Sequence, residues 1–127
     1  LINIINKNPK NLKQIIKIVH PMVRKEMKLF LRKNKNKKAI VLDIPLFLEN
    51  KINLETDILI FIDTDQKKIL SRLKKRKNFN QKVFRFLKSL QMPVHIKKEK
   101  ADFVVKNNFN SAKMKKGAKN LLNKIIL

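Results

Sequence analysis

Short, unbroken apolar runs that end in an acidic residue constrain the fold of this chain more than any other feature. The clearest is the run AIVL at residues 39–42, which ends in Asp43 and is followed almost at once by Pro45. Such a run is typical of a fully buried strand in a parallel sheet. An acid at the carboxyl end of such a strand lies where α/β proteins bind ligands, although a strand that simply stops at an acidic turn shows the same pattern.

Two further apolar runs predict two more strands, at residues 57–63 and 101–105, the last closed by Asn107. The connection from the first run to the second is too long for a hairpin, which favours parallel pairing. Amphipathic helices are predicted around them, over residues 11–19, 21–33, 65–77, 80–90 and 110–127. The order of helices and strands predicts an α/β fold, and no linker divides the 127 residues.

A break is predicted between the first two helices at His20-Pro21. Proline removes an amide donor and biases the residue before it away from helical geometry. We therefore expect one helix to end near Val19 and the next to carry Pro21 in its first turn.

The net charge of +23 allows two interpretations. Lysines gain by displacing counterions from phosphates, so a nucleic-acid partner is one of them. The other is a composition biased toward Lys, Asn and Ile, whose lysines cover solvent-exposed faces. Arginine is scarce beside lysine and Phe is the only aromatic type, which leaves little for reading or stacking bases and favours the second interpretation.

Composition also restricts the kinds of site. No apolar run approaches the roughly 18 residues of a membrane span. The absence of cysteine excludes disulfides and thiolate metal sites, and it fits a cytoplasmic protein. Gly117 is the single glycine, whereas glycine-rich loops that cradle phosphates need several. These 127 residues therefore contain neither a P-loop nor a dinucleotide-binding fingerprint.

Seven short motifs occur in an order and spacing that resemble the C-terminal two-thirds of the dephospho-CoA kinase family. Each motif is weak alone, but the series covers nearly the whole chain. In chain order they are His20-Pro21, the segment VLDIPLF at residues 41–47 with Glu49, the strand at residues 57–63 with an acid at each end, Arg72-Leu73 with Arg76, Gln91-Met92-Pro93, Lys97, and Ala101-Asp102 followed by Asn107.

The chain departs from the family pattern in two places. The family begins with a strand and a glycine-rich phosphate loop, G-x-x-G-S-G-K-S, which is absent here. Leu87 also occupies a position where the family usually carries arginine. We therefore expect a partial P-loop NTPase fold of three layers with a parallel sheet, truncated at its N-terminus so that its first strands are missing, and inactive alone.

The resemblance implies ATP-dependent phosphorylation of the ribose 3′-hydroxyl of dephospho-CoA, with Mg²⁺ as the cofactor. It implies a helical substrate-side segment over residues 1–38, core strands over residues 39–127, a mobile lid over residues 72–98, and a C-terminal helix. Asp43 would be catalytic, either in the second sphere of magnesium or near the acceptor.

The resemblance also implies roles for further side chains. The dephospho-CoA side would be lined by Ile44, Pro45, Leu46, Phe47 and Glu49, and ATP would be bound by Arg72, Arg76, Lys97 and Asn107. Structural positions of the motif would be His20, Pro21, Gln91 and Asp102. The implied partners are these two small molecules and no membrane.

Two alternatives remain beside the kinase, a small basic nucleic-acid-binding protein and a scaffolding fragment. The positions of the lysines discriminate between them. In the predicted helices, lysines lie opposite the apolar stripes, as on a solvated surface, and these are Lys13, Lys17 and Lys28, and Lys113, Lys116 and Lys119.

Overall fold

A computed structural model of the protein describes residues 10–126, with side chains from residue 14 onward. Residues 1–9, which belong to the predicted helical segment 1–38, and Leu127 lie outside the described residues. The described elements, in chain order, are α1 (Lys10–Lys33), β1 (Ile60–Thr64), α2 (Gln66–Lys74), α3 (Gln81–Ser89), α4 (Val94–Lys100), β2 (Phe103–Asn107) and α5 (Ser111–Ile126).

The two strands pair in parallel, which confirms the predicted α/β class and the parallel sheet. The register runs from Ile60 opposite Phe103 to Thr64 opposite Asn107. The pairing begins just before the strands, where the Leu59 amide donates to Asp102 Oδ2 at 2.7 Å and the Leu59 carbonyl accepts from the Phe103 amide at 3.1 Å. Asp102 thus satisfies a backbone donor at the point where the two strands meet.

Side-chain caps determine where the later helices begin. Asp65 Oδ1 accepts from the amides of Lys67 and Lys68, which starts α2. Asn80 Oδ1 starts α3 in the same way, accepting from two amides at 2.9 and 3.1 Å. Asn110 Oδ1 accepts from the Lys113 amide at 3.0 Å at the start of α5. Each cap satisfies amides that the first helical turn leaves without a partner.

The predicted break at His20-Pro21 is wrong, because α1 is one helix of 24 residues with Pro21 inside it. Proline lacks the N–H that would bond to the carbonyl four residues earlier, so the helix loses one hydrogen bond there. Apolar residues continue at helical spacing on both sides of Pro21, so a single amphipathic pattern runs through the whole helix.

The predicted strand at residues 39–43 is also wrong for the described structure, which has no regular secondary structure there. Val41 is 79% exposed, whereas a buried strand was predicted. A strand exists only by pairing with a neighbour, and the sheet of the described residues consists of β1 and β2. The apolar run is present, but no described neighbouring strand pairs with it.

The other two predicted strands are shifted toward the C-terminus, to residues 60–64 and 103–107. Asp57, predicted to open its strand, instead accepts a hydrogen bond from the Leu54 amide at 2.8 Å in a turn. The helix α4 was not predicted at all. It has seven residues, begins after Pro93, and is too short to show a clear helical period in the sequence.

The described chain divides into two compact units. The first contains α1, the segment up to Pro45 and residues 80–89, and the second contains residues 46–79 and 90–127. No described side chain is buried in either unit. None of the helices of the described residues is long and apolar enough to cross a membrane.

Candidate functional site

The carboxyl ends of the two strands lie side by side in the second unit. This is the edge of a parallel sheet where α/β proteins bind ligands. Thr64 ends β1 opposite Asn107, which ends β2. One residue before Thr64, Asp63 Oδ2 accepts from Lys98 Nζ at 2.9 Å. Lys98, from α4, therefore places a positive charge against Asp63 at this edge. The segments that follow Thr64 and Asn107 begin at the same edge.

An arginine–aromatic pair joins the end of α2 to the loop that follows β2. The guanidinium carbon of Arg72 lies 4.5 Å from the centroid of the Phe109 ring, within the range of a cation–π contact. The turn that presents Phe109 is held by Asn107, whose Oδ1 accepts from the Phe109 amide at 2.8 Å. The structure thus brings together two residues predicted to bind ATP, Arg72 and Asn107, through a residue that was not predicted.

Glu49, in the loop predicted to bind the acceptor, forms an ion pair with Lys97, near the end of the segment predicted to be a lid. Glu49 Oε1 lies 2.7 Å from Lys97 Nζ and accepts a hydrogen bond from the Met92 amide at 2.8 Å. The Glu49 side chain is 13% exposed and that of Lys97 22%, so solvent screens this ion pair only partly. Each residue is the other's partner, although Glu49 was predicted for dephospho-CoA and Lys97 for ATP.

These surroundings shift the protonation equilibrium of Glu49. Burial acts to raise its pKa, but the hydrogen bonds from Lys97 and from the amides of Met92 and Glu49, together with the positive charge of Lys97, outweigh it. The pKa of Glu49 therefore lies below its ordinary value, and the carboxylate is ionised at neutral pH.

Backbone turns shape the loop that carries Glu49. Leu46 adopts a positive φ of 57° and its carbonyl accepts from both the backbone amide and the side-chain amide of Asn50, at 3.0 and 2.8 Å. The Phe47 carbonyl accepts from the Ile52 amide at 3.2 Å. These bonds fold residues 46–52, which include Glu49, into successive turns.

The remaining predicted residues of the second unit are exposed. Arg76 lies in the turn after α2, where its amide donates to the Leu73 carbonyl at 3.0 Å. Gln91 precedes the Met92 amide that binds Glu49, and Asp102 bonds to Leu59 as described above.

In the first unit, α1 presents an open apolar groove of about 610 Å³. Ile44 and Leu42 line it together with helix residues that include Val23 and Met27. This volume is within the usual range of ligand pockets. Ile44 is the predicted substrate-side residue that the structure places in a cavity.

The other predicted residues of the first unit do not line this groove. His20 and Pro21 are inside α1, while Asp43 and Pro45 are exposed neighbours of Ile44. Among the described residues, no group of three or more His, Asp or Glu side chains gathers closely enough to hold a metal ion. A magnesium ion bound to nucleotide phosphates needs only one or two carboxylates, and an exposed aspartate such as Asp43 fits that need.

Sequence reasoning missed Phe109 and Lys98. Asparagines at positions 107, 108 and 110 indicate a turn after the strand, which predicts a loop but not the aromatic contact. Lys98 was hidden within a run of charged residues whose helix was not predicted.

The sequence of the chain matches the model of a known protein family. The sequence model of dephospho-CoA kinase matches residues 1–113, which include all of the predicted site residues. This match confirms the predicted resemblance, and it does not favour the nucleic-acid-binding alternative.

Individual relatives agree with the family match. A dephospho-CoA kinase of Wolbachia sp. subsp. Brugia malayi (strain TRS) is 36% identical over 97 residues, covering 75% of this chain and 49% of the relative. A dephospho-CoA kinase of Bartonella quintana (strain Toulouse) is 33% identical over 107 residues, covering 83% of this chain and 55% of the relative. One of Leptospira interrogans is 26% identical over 124 residues, covering 97% and 59%.

The chain thus spans about half the length of the curated relatives that it matches. The similarity extends through both compact units, from the helical segment to the loop after β2. The chain belongs to the dephospho-CoA kinase family.

Proposed function

We propose that these residues are part of a dephospho-CoA kinase that transfers a phosphoryl group from ATP to the ribose 3′-hydroxyl of dephospho-CoA. The observation that carries this proposal is the family match over residues 1–113. In such a transfer the protein contributes mainly positioning and neutralisation of charge on the phosphoryl group. The described residues then supply three parts, an ATP side, an acceptor side and a lid.

On the ATP side, Arg72 and Arg76 bind the nucleotide at the base of the lid, and Asn107 approaches the adenine edge. Support comes from the contact of Arg72 with the loop after β2 and from the exposure of both arginines. Arginine suits this place because it forks onto phosphate and stacks on rings. Lys97 adds its positive charge from the other end of the lid, and Glu49 orients it through the 2.7 Å ion pair.

On the acceptor side, residues 44–47 line the dephospho-CoA site, and the groove beside Ile44 supports an apolar contribution from α1. Asp43 lies at the start of this segment, where it would help to hold Mg²⁺ or would lie near the acceptor. The ion would supply neutralisation of charge on the ATP phosphates.

The phosphate loop has to come from outside these 127 residues, because a single glycine does not build one. We propose that residues 1–127 form one partial domain of a P-loop NTPase fold. Without a phosphate loop the 127 residues do not catalyse the transfer. We propose that the complete enzyme acts in the cytoplasm.

The test of the ATP side is Arg76→Ala in the full-length protein that contains these residues. Loss of a charge-assisted hydrogen bond to a phosphate is expected to raise the ATP KM or lower kcat roughly tenfold or more. Steady-state kinetics with varied ATP and saturating dephospho-CoA measure both constants.

The matched control is Lys75→Ala, which removes a neighbouring cation at the end of α2. We expect this variant to keep the wild-type constants. If Arg76→Ala keeps them as well, Arg76 does not contact ATP.

A further inference from the structure

The contact between Arg72 and Phe109 fixes one face of an exposed guanidinium. The distance of 4.5 Å from the guanidinium carbon to the ring centroid leaves no space for another ring between them. Arg72 is exposed, so the face of the guanidinium away from Phe109 is accessible to a ligand. A guanidinium binds planar groups on both faces, which makes this outer face a stacking surface.

The backbone at Phe109 is held in a conformation that few bulky residues adopt. Its φ of 63° lies in the left-handed region. Two asparagines maintain the turn, since Asn107 Oδ1 accepts from the Phe109 amide at 2.8 Å and Asn108 Oδ1 accepts from the Asn110 amide at 3.0 Å. Strain of this kind persists only where the surroundings enforce it, and it is concentrated at functional sites.

We propose that Phe109 is a positioning residue for the nucleobase of ATP. Its ring backs the inner face of the Arg72 guanidinium, and the adenine stacks on the outer face. This inference rests on the proposed function for the identity of the nucleotide, and it adds a residue that determines how tightly the base is held. Fixing the arginine before binding lowers the ordering cost of the long side chain, so the effect appears in nucleotide affinity.

The test uses four single variants of the full-length protein and one double variant. Phe109→Leu removes the ring but keeps an apolar side chain, and Phe109→Tyr keeps the ring. Phe109→Gly removes the ring and relieves the backbone strain, because glycine adopts positive φ without a steric cost. Arg72→Lys keeps the charge but loses the planar group.

We expect Phe109→Leu to raise the ATP KM about three- to tenfold, with the dephospho-CoA KM unchanged. Phe109→Tyr keeps the wild-type ATP KM. Phe109→Gly raises the ATP KM as the leucine variant does, but its melting temperature equals or exceeds that of the wild type. Adding Arg72→Lys to Phe109→Leu causes less than the product of the two separate effects, because both remove the same stack.

Inhibition by inorganic tripolyphosphate separates base stacking from phosphate binding. The inhibition constant of this baseless ligand is expected to be the same in the wild type and in Phe109→Leu. An unchanged ATP KM in Phe109→Leu, or equal losses of ATP and tripolyphosphate binding, would overturn the role of Phe109.

The same variants distinguish this inference from the proposed function. If the wild-type protein does not phosphorylate dephospho-CoA, the proposed function fails, and calorimetric titration with a non-hydrolysable ATP analogue then decides the inference. Binding that Phe109→Leu weakens and Phe109→Tyr retains supports the stacking role. No binding to the wild-type protein overturns it.

Discussion

At the residue scale, Glu49 shows how a few donors determine the state of one carboxylate. Lys97 Nζ and the Met92 amide both lie within 2.8 Å of its Oε1 atom. These contacts join residues 43 or more positions apart in sequence, which no local pattern predicts. Glu49 therefore links its loop to α4 and to the segment that precedes α4.

The lowered pKa of Glu49 predicts a pH dependence of stability. A carboxyl group whose pKa is lower in the folded than in the unfolded protein stabilises the fold above its unfolded value of about 4.5, and this contribution is lost as the pH falls through the folded value. We expect Glu49→Gln to destabilise the full-length protein by about 1 kcal/mol at pH 7, and by less at pH 3 to 4.

Thermal unfolding of the wild type and of Glu49→Gln across this pH range measures the difference. Glu55→Gln, at an exposed position in the turn that follows, serves as the control and should behave like the wild type at every pH. A stability loss in Glu49→Gln that is the same at pH 7 and pH 3 would show that the ionised carboxylate does not stabilise the fold.

At the element scale, α1 is continuous although it contains a proline. Pro21 lies in its interior, where it costs about 3 kcal/mol relative to alanine in an isolated helix. The helix nevertheless continues through Pro21, and its apolar residues keep helical spacing on both sides of it. His20 accordingly keeps its place on the helix rather than in a hinge.

A peptide comprising residues 10–33 tests this account of α1. We expect the wild-type peptide to be weakly helical in water and the Pro21→Ala peptide to be markedly more helical, because the alanine restores one hydrogen bond and removes the ring clash. Far-ultraviolet circular dichroism measures the difference. Met22→Ala, beside the proline, is the control for a change in propensity alone, and equal helicity of all three peptides would contradict the account.

Elements are predicted correctly from the sequence where local residues or a described neighbouring strand determine them. The strands predicted at residues 57–63 and 101–105 exist, beginning three and two positions later respectively, because each pairs with the other as a parallel neighbour. The caps at Asp65, Asn80 and Asn110 are local, since each side chain accepts from amides two or three residues later.

The predictions that were wrong concern features that depend on residues distant in sequence. The run at residues 39–43 has the composition of a strand but forms none in the described chain. The site contacts of Phe109 and Lys98 likewise depend on where distant residues come together. Local sequence patterns therefore predict the candidate site residues, but not their contacts with one another.

At the scale of the whole molecule, the described chain exposes an unusual amount of apolar surface. Side chains such as Ile58, Ile60 and Ile62 in and near β1 are 41% to 49% exposed, and no described side chain is buried. A domain of this size normally covers the faces of its parallel sheet. We expect these surfaces to be covered in the complete protein, and the 127 residues alone to be poorly stable.

ATP-dependent formation of CoA from dephospho-CoA, measured side by side for the full-length protein and for residues 1–127, tests the proposed kinase function. We predict product phosphorylated at the ribose 3′-hydroxyl with the full-length protein and none with the 127 residues, which contain no glycine-rich phosphate loop. Absence of product with the full-length protein would contradict the proposed kinase function. Equal turnover by the 127 residues would contradict the requirement for a phosphate loop outside them.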